Sequence, residues 1–462
     1  MAVEGSQPSP QSPVPSPWTF GVYSAILLCI AIGEGVPMPR ELELSEKLEI
    51  LMSLAAEDRE GPPETARPLP PRLRHAAEAG ALRPLNIRVL RGSGRPIKLL
   101  RILMTNACAL NCHYCPMRRD RAMRRTLLKP EELVRIFIGA LRRGWCEGLF
   151  ITTGIPARPE KVTDDLIAVL EMLRVRHKFA GYIHVKLVPG AEQAQVERIT
   201  ALASRVSVNL EAACGDTLQT VAPEKQLATT LVTLERARRI VVANRAEERA
   251  GRPRDGQHPG GVAGMTMQFV VGATPDSDRT ILGRVTSLYA GGGIHHAHFS
   301  AFRPIRDTPM EGAPAAPVLR EHRLYQADWL LRTYGFAPNE VVYEDSGNLP
   351  LAMDPKAAWA LAHPESFPVD VSSASYERLV RVPGIGPRSA RRIVDERRRS
   401  VIRGLSDLRQ FGVVTNRAGG FLTLRGRRLQ SVRWAQQLAL WRPEDEVGAR
   451  HEVYDFSPGT FR

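Results

Sequence analysis

Apolar positions recur along the chain at two spacings, and the alternation between them sets the expected fold. In 45–56, Leu48, Leu51, Met52 and Ala55 fall at helical intervals with charges between them, the pattern of an amphipathic helix. Residues 61–72 are Pro-rich and predict irregular chain, and Gly92-Ser93-Gly94-Arg95-Pro96 predicts a turn into an apolar β-type run over 97–105. Beyond it, helices are predicted over 130–143, 162–174, 193–203, 224–244 and 279–290. Between them, short apolar strands are predicted over 148–153, 182–187, 206–210, 265–271 and 295–300. Repeated strand–helix alternation of this kind predicts a parallel sheet wrapped by helices.

The last quarter of the chain has a different pattern. Two short amphipathic stretches flank Val382-Pro383-Gly384-Ile385-Gly386-Pro387, and a weaker copy follows over 405–418, where Gly412 stands alone without a second glycine. Glycines at such a turn let the backbone approach a phosphate, and the amide groups opening the next helix then meet its charge. Arg388, Arg391 and Arg392 fall on the first turns of that second helix.

Composition sharpens this division. Lysine and arginine outnumber aspartate and glutamate by 63 to 49, and the excess gathers at this end: 378–433 holds fifteen arginines against Asp395, Glu396 and Asp407. A polyanionic partner is therefore expected for this segment rather than for the whole chain. Near the start, 20–33 is an uncharged run, but no basic residue precedes it and its roughly 14 apolar positions fall short of a membrane span. The helix-like run after Met38 makes that methionine the expected start, with 1–37 a mis-assigned extension and no stable membrane association.

Six cysteines in 462 residues are too few for a disulfide framework, and three of them sit in Cys108-Ala-Leu-Asn-Cys112-His-Tyr-Cys115. Bridges within so short a loop would be strained, so metal ligation is expected. Three thiolates from one loop leave one iron of a four-iron cube open to a small molecule. Zinc sites instead tend to bring their ligands as two separate pairs. Thiolate ligation also requires a reducing compartment, so a cytoplasmic protein is expected. Cys146 and Cys214 read as packing and a free loop thiol. His296 and His298 share a strand face, with His295 on the other, which is weak evidence for a metal.

The Cys-x3-Cys-x2-Cys loop, with Tyr114 before its third cysteine, resembles the signature of the radical S-adenosylmethionine (SAM) enzymes. The resemblance implies a partial (β/α)6 barrel and a 4Fe-4S cluster on Cys108, Cys112 and Cys115. It further implies cleavage of SAM to a 5′-deoxyadenosyl radical that abstracts hydrogen from substrate, and a reducing electron donor such as flavodoxin or ferredoxin. The family's SAM-binding turn after the second strand corresponds here to Thr152, Thr153 and Gly154 in Thr-Thr-Gly-Ile-Pro, which departs from the usual Gly-Gly-Glu-Pro. With Tyr114, Asn209, Glu211 and Gln268, these are the expected cofactor-binding residues. Lys186, Ser300 and Arg303 are further strand-end candidates.

The segment 379–394 in turn resembles the helix-hairpin-helix motif, which makes Pro383, Gly384, Ile385, Gly386, Arg388, Arg391 and Arg392 the expected nucleic-acid contacts. Together the two halves resemble bacterial radical SAM proteins described as DNA modification or repair enzymes. The expected organisation is then an extension over 1–40 and a helix with a Pro-rich linker over 41–98. A barrel over 99–345 follows, then a linker over 346–372, a small all-α helix-hairpin-helix domain over 373–442 and a tail over 443–462. DNA is the expected partner, with RNA sharing the same phosphate chemistry. The alternatives are radical modification of tRNA or protein, and a redox-sensing iron–sulfur protein without catalysis.

Overall fold

The computed structural model describes residues 42–57, 87–92, 97–251, 264–430 and 454–455. The expected extension, most of the Pro-rich linker and nearly all of the tail lie outside them. The chain divides into two units between Glu46 and Lys47, and apart from the start of the helix over Leu44–Glu57 the features below belong to the second.

The sheet is built from β1 (Ile87–Gly92), β2 (Ile97–Leu103), β3 (Gly148–Thr152), β4 (Ile183–Lys186), β5 (Arg205–Glu211), β6 (Gly264–Val271), β7 (Ile294–Ala301) and an edge strand at Tyr454–Asp455. From β2 to β7 each strand lies parallel to the next in sequence order, whereas β1 runs antiparallel to β2. Every residue of β3 and β4 is buried, as expected for parallel strands covered on both faces. The crossovers between these strands include α2 (Pro130–Arg142), α3 (Pro159–Glu171), α4 (Gln193–Leu202), α5 (Gly215–Val221), α6 (Leu227–Arg249) and α7 (Asp278–Ala290), with α1 (Leu44–Glu57) ahead of the sheet. Pro130 and Pro159 open their helices at the position where a missing N–H costs nothing, so α3 begins three residues earlier than predicted. Sequential parallel order over six strands is the parallel sheet expected from the pattern, and it is consistent with the partial barrel that the resemblance implies.

Two local departures shape the site. The β5–β6 register shifts between Asn209 and Glu211, and Glu211 takes a positive φ of 68°. Helix α6 starts at Leu227 rather than at Glu224, and the Lys225 N–H donates to Ala222 O in a turn.

After β7, α8 (Val318–Trp329) packs on that strand. The chain then builds a second apolar cluster that includes Phe336, Trp359, Val369, Leu379, Ile385, Ile393, Leu408 and Phe421. Residues 346–372, expected as a linker, contribute to it. Helix α9 (Pro355–Ala362) is capped by the Asp354 carboxylate, and Trp359 stands edge-on to Phe336 and Phe367. Burying an indole against two rings is more favourable than leaving it in a solvated connector. This region also departs from all-α, because β8 (Val369–Asp370), β9 (Leu422–Leu424) and β10 (Arg427–Arg428) form a small sheet.

Within it, α10 (Tyr376–Arg381) and α11 (Pro387–Glu396) are joined by a turn in which Gly384 has φ +86°. In the following pair, α12 (Leu405–Gln410) and α13 (Thr415–Ala418), Gly412 has the same value. The two turns meet where the Val414 N–H donates to Gly384 O at 2.9 Å. A side chain at Gly384 would stand 2.6 Å from Val414 O, so this contact requires glycine.

Candidate functional site

The strand ends of the barrel open into a cavity of about 510 Å³. Cys108, Cys112 and Cys115 line it together with Tyr114, Thr152, Thr153, Gly154, Lys186, Asn209, Glu211, Gln268, Ser300 and Arg303. The expected cluster and cofactor residues, scattered over nearly 200 positions, therefore face one space. Cys146 and Cys214 lie outside its lining. His296 and His298 do share a face of β7, with Nε2 atoms 3.1 Å apart, but neither lines the cavity.

The cysteine loop is held almost entirely through its backbone. The Arg125 guanidinium donates to the carbonyls of Asn106, Met117, Arg118, Arg119 and Arg121 at 2.6 to 3.2 Å, gathering both ends of the loop on one cation. Asn106 adds a two-way bond, donating to Arg124 O and accepting from the Thr126 N–H. Glu224 accepts from the Asn111 N–H and from Arg119, while the Ala109 N–H donates to Ile155 O. Gly154 presses directly on this loop. Its N–H donates to Thr105 O, and a Cβ there would fall 2.4 Å from Ala107 O. Because backbone cannot move aside as a side chain would, Gly154→Ala is expected to lower iron incorporation about tenfold, in the range set by loss of ligand-supporting contacts. Iron and sulfide analysis of the reconstituted variant measures it.

Cys112 is buried, and burial pushes its thiol up to about 12, with nearby Glu211 adding to the effect and Lys225 opposing it. The Glu211 carboxylate accepts from Lys225 Nζ at 2.8 Å and also bonds Tyr114. Burial raises the Tyr114 phenol well above its ordinary value, so it stays protonated and donates to Glu211. Glu211 makes these contacts from a backbone of positive φ. Across the cavity, Lys186 Nζ donates to Gln268 Oε1 at 2.9 Å and Gln268 Nε2 donates to Ser300 Oγ at 3.0 Å. Asn209 Oδ1 is buried and has no hydrogen-bond partner among the described residues.

These features fit an iron–sulfur cluster with a small polar ligand. No three His, Cys, Asp or Glu side chains among the described residues converge closely enough to hold one metal ion. A cube differs from a single ion in this respect, because each cysteine takes a different iron. Iron also removes the penalty of burying a bare thiolate at Cys112. The orphaned Asn209 oxygen offers an acceptor for an amino or hydroxyl group.

Residues 102–243 match the radical SAM superfamily. This segment is a radical SAM domain. Enzymes built on it use a 4Fe-4S cluster and S-adenosylmethionine. Among solved structures, the chain is similar to HydG, a maturase of the [FeFe]-hydrogenase, at 15% identity and TM-score 0.39, over 50% of this chain and 49% of that one. Methylornithine synthase (PylB) is similar at 12% identity and TM-score 0.40, over 50% of this chain and 61% of that one. A radical SAM methyltransferase from Sphaerobacter thermophilus is similar at 16% identity and TM-score 0.34, over 63% of this chain and 93% of that one. The chain thus spans about half the length of HydG and under two thirds of the synthase. No curated protein matches it. Beside the radical SAM domain, no helix among the described residues is long and apolar enough to cross a membrane.

Sequence reasoning missed Lys225 and Arg125, and it missed Glu321, which also lines the cavity. Lys225 lies in Pro-Glu-Lys-Gln, which carries no motif, and only the late start of α6 frees it to reach Glu211. Arg125 is one of several arginines after the loop, and its role rests on carbonyls, which leave no trace in side-chain spacing.

The seven expected nucleic-acid contacts gather around the α10–α11 turn. Arg388, Arg391 and Arg392 are exposed, Gly386 is the N-cap of α11, and Pro383 and Ile385 are buried beneath them. Other arginines of the basic segment serve the fold. Arg381 pairs with Glu340 at 2.9 Å and stacks over Phe336, and Arg397 donates to Val371 O and Ala374 O.

Proposed function

We propose that the protein is a radical SAM enzyme whose C-terminal helix-hairpin-helix region holds a nucleic acid, DNA in the first instance, while the barrel abstracts hydrogen from it. When bound, the cluster supplies the electron that cleaves SAM. Cys108, Cys112 and Cys115 would hold the cluster. Tyr114, Thr152, Thr153, Gly154, Asn209, Glu211 and Gln268 would surround SAM, with Glu211 fixed by Lys225 and Tyr114. A flavodoxin or ferredoxin is the fitting reductant, and the thiolate ligands fit the cytoplasm.

The observation that carries the nucleic-acid reading is the Gly384 turn with three exposed arginines on the helix it opens. Amides at a helix start and guanidinium groups on its first turns both favour phosphate. Arg425, Arg427 and Arg428 add exposed charge nearby in sequence, without an acidic residue between them. Such contacts position a backbone without reading its bases.

Binding of duplex DNA, single-stranded DNA and RNA over a series of salt concentrations tests this. Replacing Arg388, Arg391 and Arg392 together by alanine should reduce the slope of log affinity against log salt by about 2 to 3, as expected for three lost phosphate contacts. An unchanged slope would remove these residues from the interface. Tighter binding to RNA than to DNA would move the substrate to RNA.

A further inference from the structure

We propose that Glu321 and Arg303 form the substrate-reading wall of the cavity, where together they meet an amide-type edge of a nucleobase, an N–H beside a C=O. This rests on the nucleic-acid reading above.

Neither residue belongs to the cluster loop or to the positions assigned to SAM, yet both line the same cavity. Glu321 lies on α8 with 3% of its surface exposed. Its Oε2 accepts from the Ala301 N–H at 2.7 Å, which fixes the carboxyl group to the end of β7. The other oxygen, Oε1, is buried with no hydrogen-bond partner among the described residues. A buried carboxyl oxygen left unmatched loses its hydration without compensation, so a donor is expected there when the site is filled. The other carboxylate of the cavity, Glu211, is already engaged by Lys225 and Tyr114.

Arg303 follows Ala301 by two residues and has no hydrogen bond or ion pair among the described residues. Its charge acts on Glu321. The neighbouring charges on α8 are turned elsewhere, Arg320 to Asp278 and Arg323 to Leu351 O. Burial is the larger influence and pushes the Glu321 carboxyl up to about 7, against the Ala301 bond and Arg303, which lower it.

An acceptor beside a cation suits neither a cationic ligand, which Arg303 would repel, nor a simple anion, which Glu321 would repel. It suits a neutral group presenting an N–H to Glu321 and a C=O to Arg303. Thymine, uracil and guanine carry that pair of groups, whereas adenine and cytosine do not. Val270 and Ile305 add apolar lining of the kind that packs on a base taken out of its stack.

The test uses the full-length, anaerobically reconstituted protein with SAM and two single-stranded probes, an all-deoxyadenosine oligonucleotide and the same strand with one central thymidine. The thymidine probe should raise 5′-deoxyadenosine formation about tenfold more than the adenosine probe, the discrimination of one good two-point base contact. The rate with thymidine should climb between pH 6 and pH 8 as Glu321 becomes the stronger acceptor. Glu321→Gln should lose about tenfold of the stimulation and flatten that pH profile, which loss of packing alone would not do. Should Glu321→Gln fail to fold, the comparison of the two probes on the wild-type chain still decides. Equal stimulation by both probes, or a Glu321→Gln protein with unchanged stimulation and pH profile, would overturn the inference and leave the nucleic-acid reading standing. If neither probe stimulates, the inference falls, and the nucleic-acid reading is decided separately by the salt series with duplex DNA and RNA.

Discussion

Cys112→Ala is expected to leave a folded chain that retains almost no cluster and forms 5′-deoxyadenosine at least about a hundredfold more slowly. That loss lies at or beyond the upper end of what removal of a contact merely supporting a ligand produces. Cys112 is the most buried of the three loop cysteines, so no outside thiol or water can readily take its place. The substitution removes a single sulfur, and the loop is fixed by Arg125, Asn106 and Glu224 rather than by the thiols. Circular dichroism and thermal unfolding should therefore stay close to wild type, while iron and sulfide per chain fall to background. Nucleic-acid binding should survive, because the hairpin turns pack on a separate apolar cluster and their arginines are exposed.

The second large effect is the converse. Gly384→Ala combines two penalties at one position. A φ of +86° costs a side-chain-bearing residue roughly 1–2 kcal/mol, and the added Cβ would lie 2.6 Å from Val414 O and 3.0 Å from Arg417 Cβ. The contact between the two turns must then open, which moves the start of α11 and the arginines it carries. Affinity for nucleic acid should fall more than about tenfold, the equivalent of about 1.4 kcal/mol. Iron and sulfide content should match wild type, since the turn is no part of the cavity lining. Retained affinity would mean that this turn does not present the phosphate-binding groups. Gly386 is a milder site, because a Cβ there would meet only Tyr334 Oη at 3.5 Å.

The parallel sheet was legible because each of its strands is a short buried apolar run bounded by turn residues, and each helix carries its own periodic stripe. Such signals are local, and so were the six parallel strands they predicted. What stayed hidden depends on pairing between distant segments. β1 was not among the predicted strands, and its antiparallel pairing with β2 exists only in the folded chain. The 346–372 segment looked like a connector because Pro, Gly and Asp punctuate it, yet Trp359 finds Phe336 and Phe367 only in the folded chain.

Within the site, the cysteines were legible from spacing, and the strand-end polar residues from their place at the ends of predicted strands. Asn209 and Glu211 were readable in this way, but the bulge that separates them was not. Lys225 and Glu321 escaped because each reaches the cavity from a helix or turn outside the strands, where a single charged residue looks like ordinary solvated surface.

The most direct test of the central claim is 5′-deoxyadenosine formation from SAM by the anaerobically reconstituted, dithionite-reduced wild-type protein, measured with and without duplex DNA, single-stranded DNA and RNA. SAM cleavage that depends on Cys112 and is stimulated by one of these nucleic acids is the predicted result. No 5′-deoxyadenosine under any condition, with four irons per chain in place, would contradict it and leave a redox-sensing iron–sulfur protein in its stead.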